Sequence, residues 1–328
     1  MKRASSALHR ITVFAVSAVF ALSAVVGIYH CLSRPPDLDS GNTTQASNNI
    51  SEQLSQGDIA LSQRKENYYT ILLGGLDNEN GGSDTNLLVS VDTKNASVHV
   101  LSLPRDTLLN VSWSVKKLNS AYHHGGFERT RTEVSNLLGI PIDFYVTVNL
   151  HAFVELIDAI GGVDFDIPVD MDYDDPYQNL HIHFPAGPRH LTGEEALQVV
   201  RWRQNNDGTG YATADIGRIG TQQAFLLAAA KQTLQLSNLD QFPTFASIFH
   251  ENVNTNLKSS NLLWLGEQLL SFGTDAIQFH TLPGDGAGWY NGGSYYIVDD
   301  AAALEMINTF FNPYTYDLTL NDMDILVP

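Results

Sequence analysis

Arg105 and Asp106 stand directly after a run of β-formers, Val98–Leu103, that ends at Pro104. Proline cannot donate to a sheet ladder, so pairing is expected to stop there and leave the arginine–aspartate pair at a strand end. A guanidinium at a sheet edge suits phosphate oxygens, because its planar fork donates two parallel hydrogen bonds. The same residues are equally compatible with an ordinary strand end carrying a surface ion pair. What else in the chain could hold an anion decides between the two.

Three other places offer such chemistry. Arg201 and Arg203 flank Trp202 at the end of a predicted helix, where a cation is also favoured simply by the helix dipole. Two arginines at i and i+2 face the same way only if the chain is extended there. Arg218 and Gln222 lie four apart near the start of a long predicted helix and so share a face, although Arg218 could instead pair with Asp215. Asp77 and Asp84 fall at strand ends or in the loops joining them, where an aspartate commonly does no more than cap a turn. The histidines are less suggestive. His123 and His124 are adjacent and face opposite ways in any regular structure, so they read as packing or loop residues. His181 and His183 could share a strand face, but no third ligand is placed near them in the sequence, and no zinc site is expected.

The elements that must position these groups alternate between strands and helices. Thr70–Leu76 and Leu87–Val91 are short apolar runs, separated by a glycine- and asparagine-rich loop and Ser83-Asp84-Thr85. Asp92–Asn95 has the composition of a hairpin turn, with Val98–Leu103 returning. Lys116–Gly126 reads as a helix start or loop, Arg129–Leu138 as a helix stopped by Gly139, and Asp143–Val148 as a strand. A helix over 152–160 ends at Gly161-Gly162, and Val163–Ile167 alternates again before an acidic stretch to Asp175. Thr192–Val200 is a well-specified helix, because Thr192 with Glu195 three residues on forms a capping box. A polar loop over 205–215 precedes a helix over 216–236. Two helices are expected within 241–272, a strand over 277–282 and a last helix over 299–311. The fold class is α/β, a mixed central sheet flanked by helices on both faces.

Composition narrows the partners. The 328 residues include 18 Lys and Arg against 36 Asp and Glu, a net charge of −18 that argues against nucleic-acid binding. Beyond Arg218 the basic residues are Lys231 and Lys258, so the arginines concentrate in one region of an acidic body. A single cysteine, Cys31, rules out a disulfide framework and a cysteine-based zinc site. Lys2, Arg3 and Arg10 precede Ile11–Leu32, 22 residues without an Asp, Glu, Lys or Arg. As a helix that segment spans about 33 Å, enough for a bilayer core of about 30 Å. The flanking charges place residues 1–10 in the cytoplasm and everything after Leu32 outside. A cleaved signal peptide is the competing reading, given the small residues at 21–24, but the apolar run continues to Cys31. Residues 33–66 read as a flexible linker, 67–313 as the catalytic domain and 314–328 as a C-terminal tail.

Taken together, Gly75–Asp77 with Ser83-Asp84-Thr85, Ser102–Thr107, Asn119–Gly126, Ile160–Asp164, Phe184–Arg203 and Gly217–Gln223 resemble the motifs of the LytR–CpsA–Psr family, in order and after a membrane anchor. The resemblance runs from about Tyr68 to Leu236 and more loosely to Phe311. It implies a membrane-anchored, extracytoplasmic phosphotransferase of a Gram-positive-type envelope. Such an enzyme moves an anionic glycopolymer (wall teichoic acid or capsule) from a polyprenyl-pyrophosphate carrier to peptidoglycan as a phosphodiester. It further implies an α–β–α sandwich with an apolar pocket for the polyprenyl chain. On this reading Arg105, Arg201, Arg203, Arg218 and Gln222 bind the pyrophosphate. Asp77 and Asp84 serve Mg2+ (or Mn2+), and one of them or Asp106 accepts the acceptor hydroxyl's proton. Two positions depart from the family: Thr221 and Gly82 stand where many members carry arginine. Water as acceptor would make the same site a polyprenyl-pyrophosphate phosphatase or pyrophosphatase. A non-catalytic wall-polymer-binding or regulatory protein is the third possibility.

Overall fold

The computed structural model describes residues 33–38, 63–77, 82–176, 180–211, 215–233, 248 and 253–328. The expected membrane helix over 11–32, most of the linker and the first of the two helices expected within 241–272 lie outside them. Among the described residues, no helix is long and apolar enough to cross a membrane. The chain divides into two compact units, Met1–Asp39 with Leu257–Ser271, and Ser40–Asn256 with Phe272–Pro328.

The larger unit is built on a mixed six-stranded sheet in the order Ile277–Thr281, Ser97–Leu103, Gly82–Asp92, Tyr68–Asp77, Phe144–Asn149, Val253–Thr255. Its first three strands, β1 (Tyr68–Asp77), β2 (Gly82–Asp92) and β3 (Ser97–Leu103), form an antiparallel meander. Register brings Leu72, Leu88 and Leu101 side by side, and all three are fully buried. They face helix α1 (Gly126–Leu138), whose Val134, Leu137 and Leu138 join the same core. Gly139 then ends α1 at φ 68°, a left-handed conformation that glycine adopts without a Cβ clash. β4 (Phe144–Asn149) runs parallel to β1 and leads directly into α2 (Leu150–Ala159), whose N-cap Asn149 accepts the Ala152 N–H at 2.7 Å.

A second core lies under two antiparallel strand pairs and a helix. β5 (Val163–Ile167) pairs with β8 (Gly187–Leu191), and β6 (Met171–Asp175) pairs with β7 (Leu180–Phe184). Their inward residues enclose Ala196 and Val199 of α3 (Gly193–Arg201), together with Trp202 and with Phe225 of α4 (Asp215–Thr233). The capping box of α3 is present: Glu195 N–H donates to Thr192 Oγ1 and Thr192 N–H donates to Glu195 Oε2 at 3.0 Å. The acidic stretch before Asp175 is therefore partly strand, because its alternate residues Met171 and Tyr173 face this core.

β9 (Val253–Thr255) closes one sheet edge against β4, and β10 (Ile277–Thr281) closes the other, parallel to β3. A hairpin of β11 (Gly284–Tyr290) and β12 (Gly293–Val298), too glycine-rich to announce itself, precedes the last helix, over Asp300–Met306, which continues as a π-turn to Phe311. The segment after 313 is built into the domain: Leu318 and Met323 are buried in the main core. At the other end, ordered contacts of this unit already include Arg64, ion-paired to Asp143 at 2.5 Å.

In the smaller unit the helix that begins at Ser259 carries the short segment 33–38. Ser33 Oγ donates to Glu267 at 2.8 Å, and Asn261 Nδ2 donates to the Arg34 and Pro35 carbonyls.

Candidate active site

Arg105 owes its position to a turn. The Pro104 carbonyl accepts both the Thr107 N–H (3.1 Å) and the Thr107 hydroxyl (2.6 Å), so Arg105 and Asp106 occupy the two central places of a four-residue turn off the end of β3. The turn is fastened on both sides: Asn119 N–H donates to the Arg105 carbonyl and Tyr296 N–H to the Asp106 carbonyl, each at 2.9 Å. Tyr296 in turn donates its hydroxyl to the Leu282 carbonyl at 2.5 Å, and burial pushes that phenol up to about 12.

Asp84 arrives by a different device. Gly75 pairs with Thr85, whereas Leu76 pairs with Ser83, so Asp84 has no partner on β1 and bulges from β2. Bulges re-aim side chains at sheet ends, and this one brings Asp84 Oδ1 to 2.8 Å from Arg105 Nη1. Ser83 and Asn86 hold the bulge from below. Both are buried, with Ser83 Oγ donating to Asn86 Oδ1 at 2.8 Å and Asn86 Nδ2 returning to the Ser83 carbonyl at 3.1 Å. Asp84 therefore lies near the start of β2, the strand-end half of the expectation for it.

The first turns of α4 cover this strand end. Arg218, only 7% exposed, and Gln222 line a narrow cleft with Asp84, Thr85, Ser102 and Arg105. Its accessible volume is about 20 Å³, room for about one water. Gln222 Nε2 donates to the Val200 carbonyl at 3.0 Å, tying α4 to the end of α3. Gln223, the next residue, anchors α4 to the sheet: its Nε2 lies 2.9 Å from Ser102 Oγ, 3.0 Å from the His280 carbonyl and 3.2 Å from Thr281 Oγ1.

Four of the expected ligands thus come together: Arg105, Asp84, Arg218 and Gln222. Arg201 and Arg203 do not line this cleft. Trp202 between them leaves α3 with extended backbone (φ −61°, ψ 138°) and is 1% exposed, which meets the condition for its two neighbours to share a side. Arg201 directly follows the Val200 carbonyl that holds Gln222. Asp106 lies beside the cleft, with Lys117 Nζ at 3.2 Å from its Oδ1 and Arg105 Nε at 3.9 Å. Asp77 ends β1 opposite Gly82, two residues from Asp84, but its side chain lies outside the described residues.

The sequence model of the LytR_cpsA_psr family matches residues 38–312. The chain belongs to the LytR–CpsA–Psr family. Among its relatives, the polyisoprenyl-teichoic acid–peptidoglycan teichoic acid transferase TagV of Bacillus subtilis is 33% identical over 282 residues, 81% of this chain and 70% of TagV. The enzyme of the same description from Bacillus cereus, TagU, is 32% identical over 77% of this chain and 81% of its own length. The crystal structure of Bacillus subtilis TagV superposes with a TM-score of 0.62 at 31% identity, covering 80% of this chain and all of that one.

Within this LytR–CpsA–Psr domain the two departures sit in different surroundings. Thr221 is buried, its hydroxyl donating to the Gly217 carbonyl at 3.3 Å, so the position serves helix packing here. Gly82 faces nearly open space at the mouth of the β1–β2 pair, with the Asn119 carbonyl 4.0 Å from where a Cβ would lie. Gln223 was present in the motif but not singled out as a site residue. Nothing in its type or spacing shows that it binds the sheet while its neighbour binds a helix end.

The oxygen donors suit a hard cation. Mg2+ keeps several waters and needs one or two carboxylates beside substrate phosphate oxygens. Asp84, with a side chain 45% exposed at the cleft, offers one such carboxylate. Among the described residues it belongs to no three-ligand group. His123 and His124 form no ligand pair: His124 stacks on Trp113 with ring centroids 4.2 Å apart, and His123 meets Tyr122 edge-on.

Proposed function

We propose that this chain is a membrane-anchored, extracytoplasmic phosphotransferase that moves a teichoic-acid-like glycopolymer from a polyprenyl-pyrophosphate carrier to peptidoglycan. The observation that carries the reading is the cleft at the end of β2 and β3, where Arg105 and Arg218 meet Asp84 in a chain of this family. The transferase names of its relatives supply the substrate class. The segment over 11–32 serves as the anchor, with residues 1–10 in the cytoplasm.

In the reaction, the acceptor hydroxyl attacks the phosphorus nearer the glycopolymer. A new P–O bond forms, the bridging P–O bond breaks, and polyprenyl phosphate leaves. Arg105 and Arg218 donate to the phosphate oxygens as charge moves onto the leaving group. Arg201 and Arg203 extend this positive surface towards the second phosphate. A carboxylate must take the hydroxyl proton, and Asp84 is the better placed, since it lines the cleft and Asp106 does not. Asp84, with Asp77, would also hold Mg2+ or Mn2+, which supplies charge neutralisation of the pyrophosphate when bound.

The test is transfer with the purified full chain, a lipid-pyrophosphate-linked glycopolymer and peptidoglycan. Polymer coupled to glycan through a phosphodiester is expected. Polymer phosphate released to water, with acceptor in excess, would overturn transfer in favour of hydrolysis. Intact donor under every condition would favour a binding module.

A further inference from the structure

Away from the cleft, the β6–β7 hairpin gathers four groups on one face. Register sets Asp172 directly across from His183, and Asp174 across from His181. Because i and i+2 share a face of a strand, all four side chains stand on the same side, away from the core that Met171, Ile182 and Phe184 fill. His181 Nδ1 lies 2.5 Å from Asp174 Oδ1, and His183 Nε2 lies 3.4 Å from the same oxygen. The third ligand that the sequence did not place is thus supplied by the paired strand.

We propose that His181, His183 and Asp174 form a zinc site distinct from the phosphotransfer cleft. The ligand atoms of the three residues all lie within 4.8 Å of one another. Two ligands on a tetrahedral zinc with bonds of about 2.0–2.1 Å are roughly 3.3 Å apart. The His183–Asp174 spacing already has that value, and the His181–Asp174 pair must open by under about 1 Å. Two imidazoles and one carboxylate leave a position for water. They favour zinc over manganese or magnesium, which prefer all-oxygen sites.

Two further features set the site apart from a chance pairing on a surface. Asp172 Oδ1 accepts from His183 Nδ1 at 2.7 Å, the carboxylate–histidine arrangement that fixes the tautomer and leaves Nε2 as the ligand atom. The ligand-bearing strand is also fixed in place. Asp172 and Asp174 N–H groups donate to Asn205 and Asn206 side chains at 2.6 Å each, and Asn206 Nδ2 donates back to the Asp174 carbonyl at 3.0 Å. These asparagines follow Arg203 by two and three residues, so an ion on the hairpin stiffens the segment that carries Arg201 and Arg203.

The full chain, stripped with chelator, would be titrated with zinc chloride by calorimetry and then assayed for retained metal. One zinc per chain is expected, with affinity falling at least tenfold in H183Q and in D174N. D84N, altered in the cleft, should still bind it. A second reading uses cobalt chloride, which should give visible absorption bands of a nitrogen-and-oxygen site in the wild type and not in H181Q/H183Q. The same circular-dichroism spectrum for wild type and variants shows that the fold persists. Zinc retained equally by H181Q/H183Q, or no zinc retained by the wild type, would overturn the proposal. Loss of zinc in D84N with retention in H183Q would assign the ion to the cleft instead.

Discussion

Substituting Arg105 separates its chemistry from its structural role. Its guanidinium is about a quarter exposed and pairs with a carboxylate that is more exposed still. A pair so placed contributes at most about 1 kcal/mol to folding, so Arg105→Ala should lower Tm by no more than a few degrees. The cost to transfer is larger. A charge-assisted hydrogen bond is worth about 1.5–3 kcal/mol, and a bidentate fork makes two. Taking the lower end for a cleft open to water gives about 3 kcal/mol, or roughly a hundredfold loss in kcat/KM. Arg105→Lys keeps the charge but not the fork, and should lose about tenfold. The assay is coupling of lipid-linked polymer to peptidoglycan by purified variants, beside thermal melts. Transfer by Arg105→Ala within about threefold of wild type would refute the assignment. So would a Lys variant as impaired as the Ala variant, because the fork would then not be what matters.

Other outcomes follow from the same structure. Asp84→Asn should abolish most transfer, while chelation should silence the wild type; wild-type activity indifferent to chelator would take Asp84 out of any metal role. A Cβ at Gly193 would press into the Val154 carbonyl oxygen, so Gly193→Ala should push α3 from α2 and destabilise by about 1–3 kcal/mol, read as a lowered denaturant midpoint. His99 and His280 lie 3.1 Å apart beside Phe310, and burial holds both below the usual imidazole value. The unfolded chain then takes up protons first as pH falls. Their contribution to stability is complete above about pH 6.5 and is lost progressively below it. The denaturant midpoint should fall between pH 7 and pH 5, and less steeply in His280→Phe.

Much of the site was legible because it is local. Pro104 announced the end of β3, and the Arg218–Gln222 spacing put both side chains on one helical face, which the cleft then uses. The Thr192–Glu195 capping box fixed the start of α3 and hence the place of Trp202. What stayed hidden depends on pairing between distant segments. The bulge that turns Asp84 towards Arg105 is a mismatch of one residue between β1 and β2, and no property of Asp84 itself encodes it. The grouping of His181, His183 and Asp174 is hidden likewise. His181 and His183 were visible at i and i+2, but Asp174 joins them only through the register of β6 on β7. The β11–β12 hairpin escaped because five of its residues from Gly284 to Gly293 are glycines, which blur any alternation.

The pairing of Asp84 with Arg105 bears on how substrate must enter. Asp84 Oδ1 holds Arg105 Nη1 at 2.8 Å at the cleft, so Asp84 and a phosphate that uses both arms of the guanidinium compete for the same group. The incoming phosphate must therefore exchange with Asp84 for the same guanidinium. That exchange is favourable, because the pyrophosphate linkage carries two negative charges against the one of a carboxylate and its oxygens fit the fork equally well. It also leaves an ionised carboxylate beside the bound phosphate, a repulsion that is relieved only if Asp84 gains a cation or a proton. Both of the roles weighed for Asp84 are answers to this one electrostatic demand. The Asp84→Asn variant tells them apart: an amide cannot take the proton but can still offer an oxygen to a cation. Residual transfer that recovers at high Mg2+ would identify the metal role, and a loss that no Mg2+ concentration restores would identify the base.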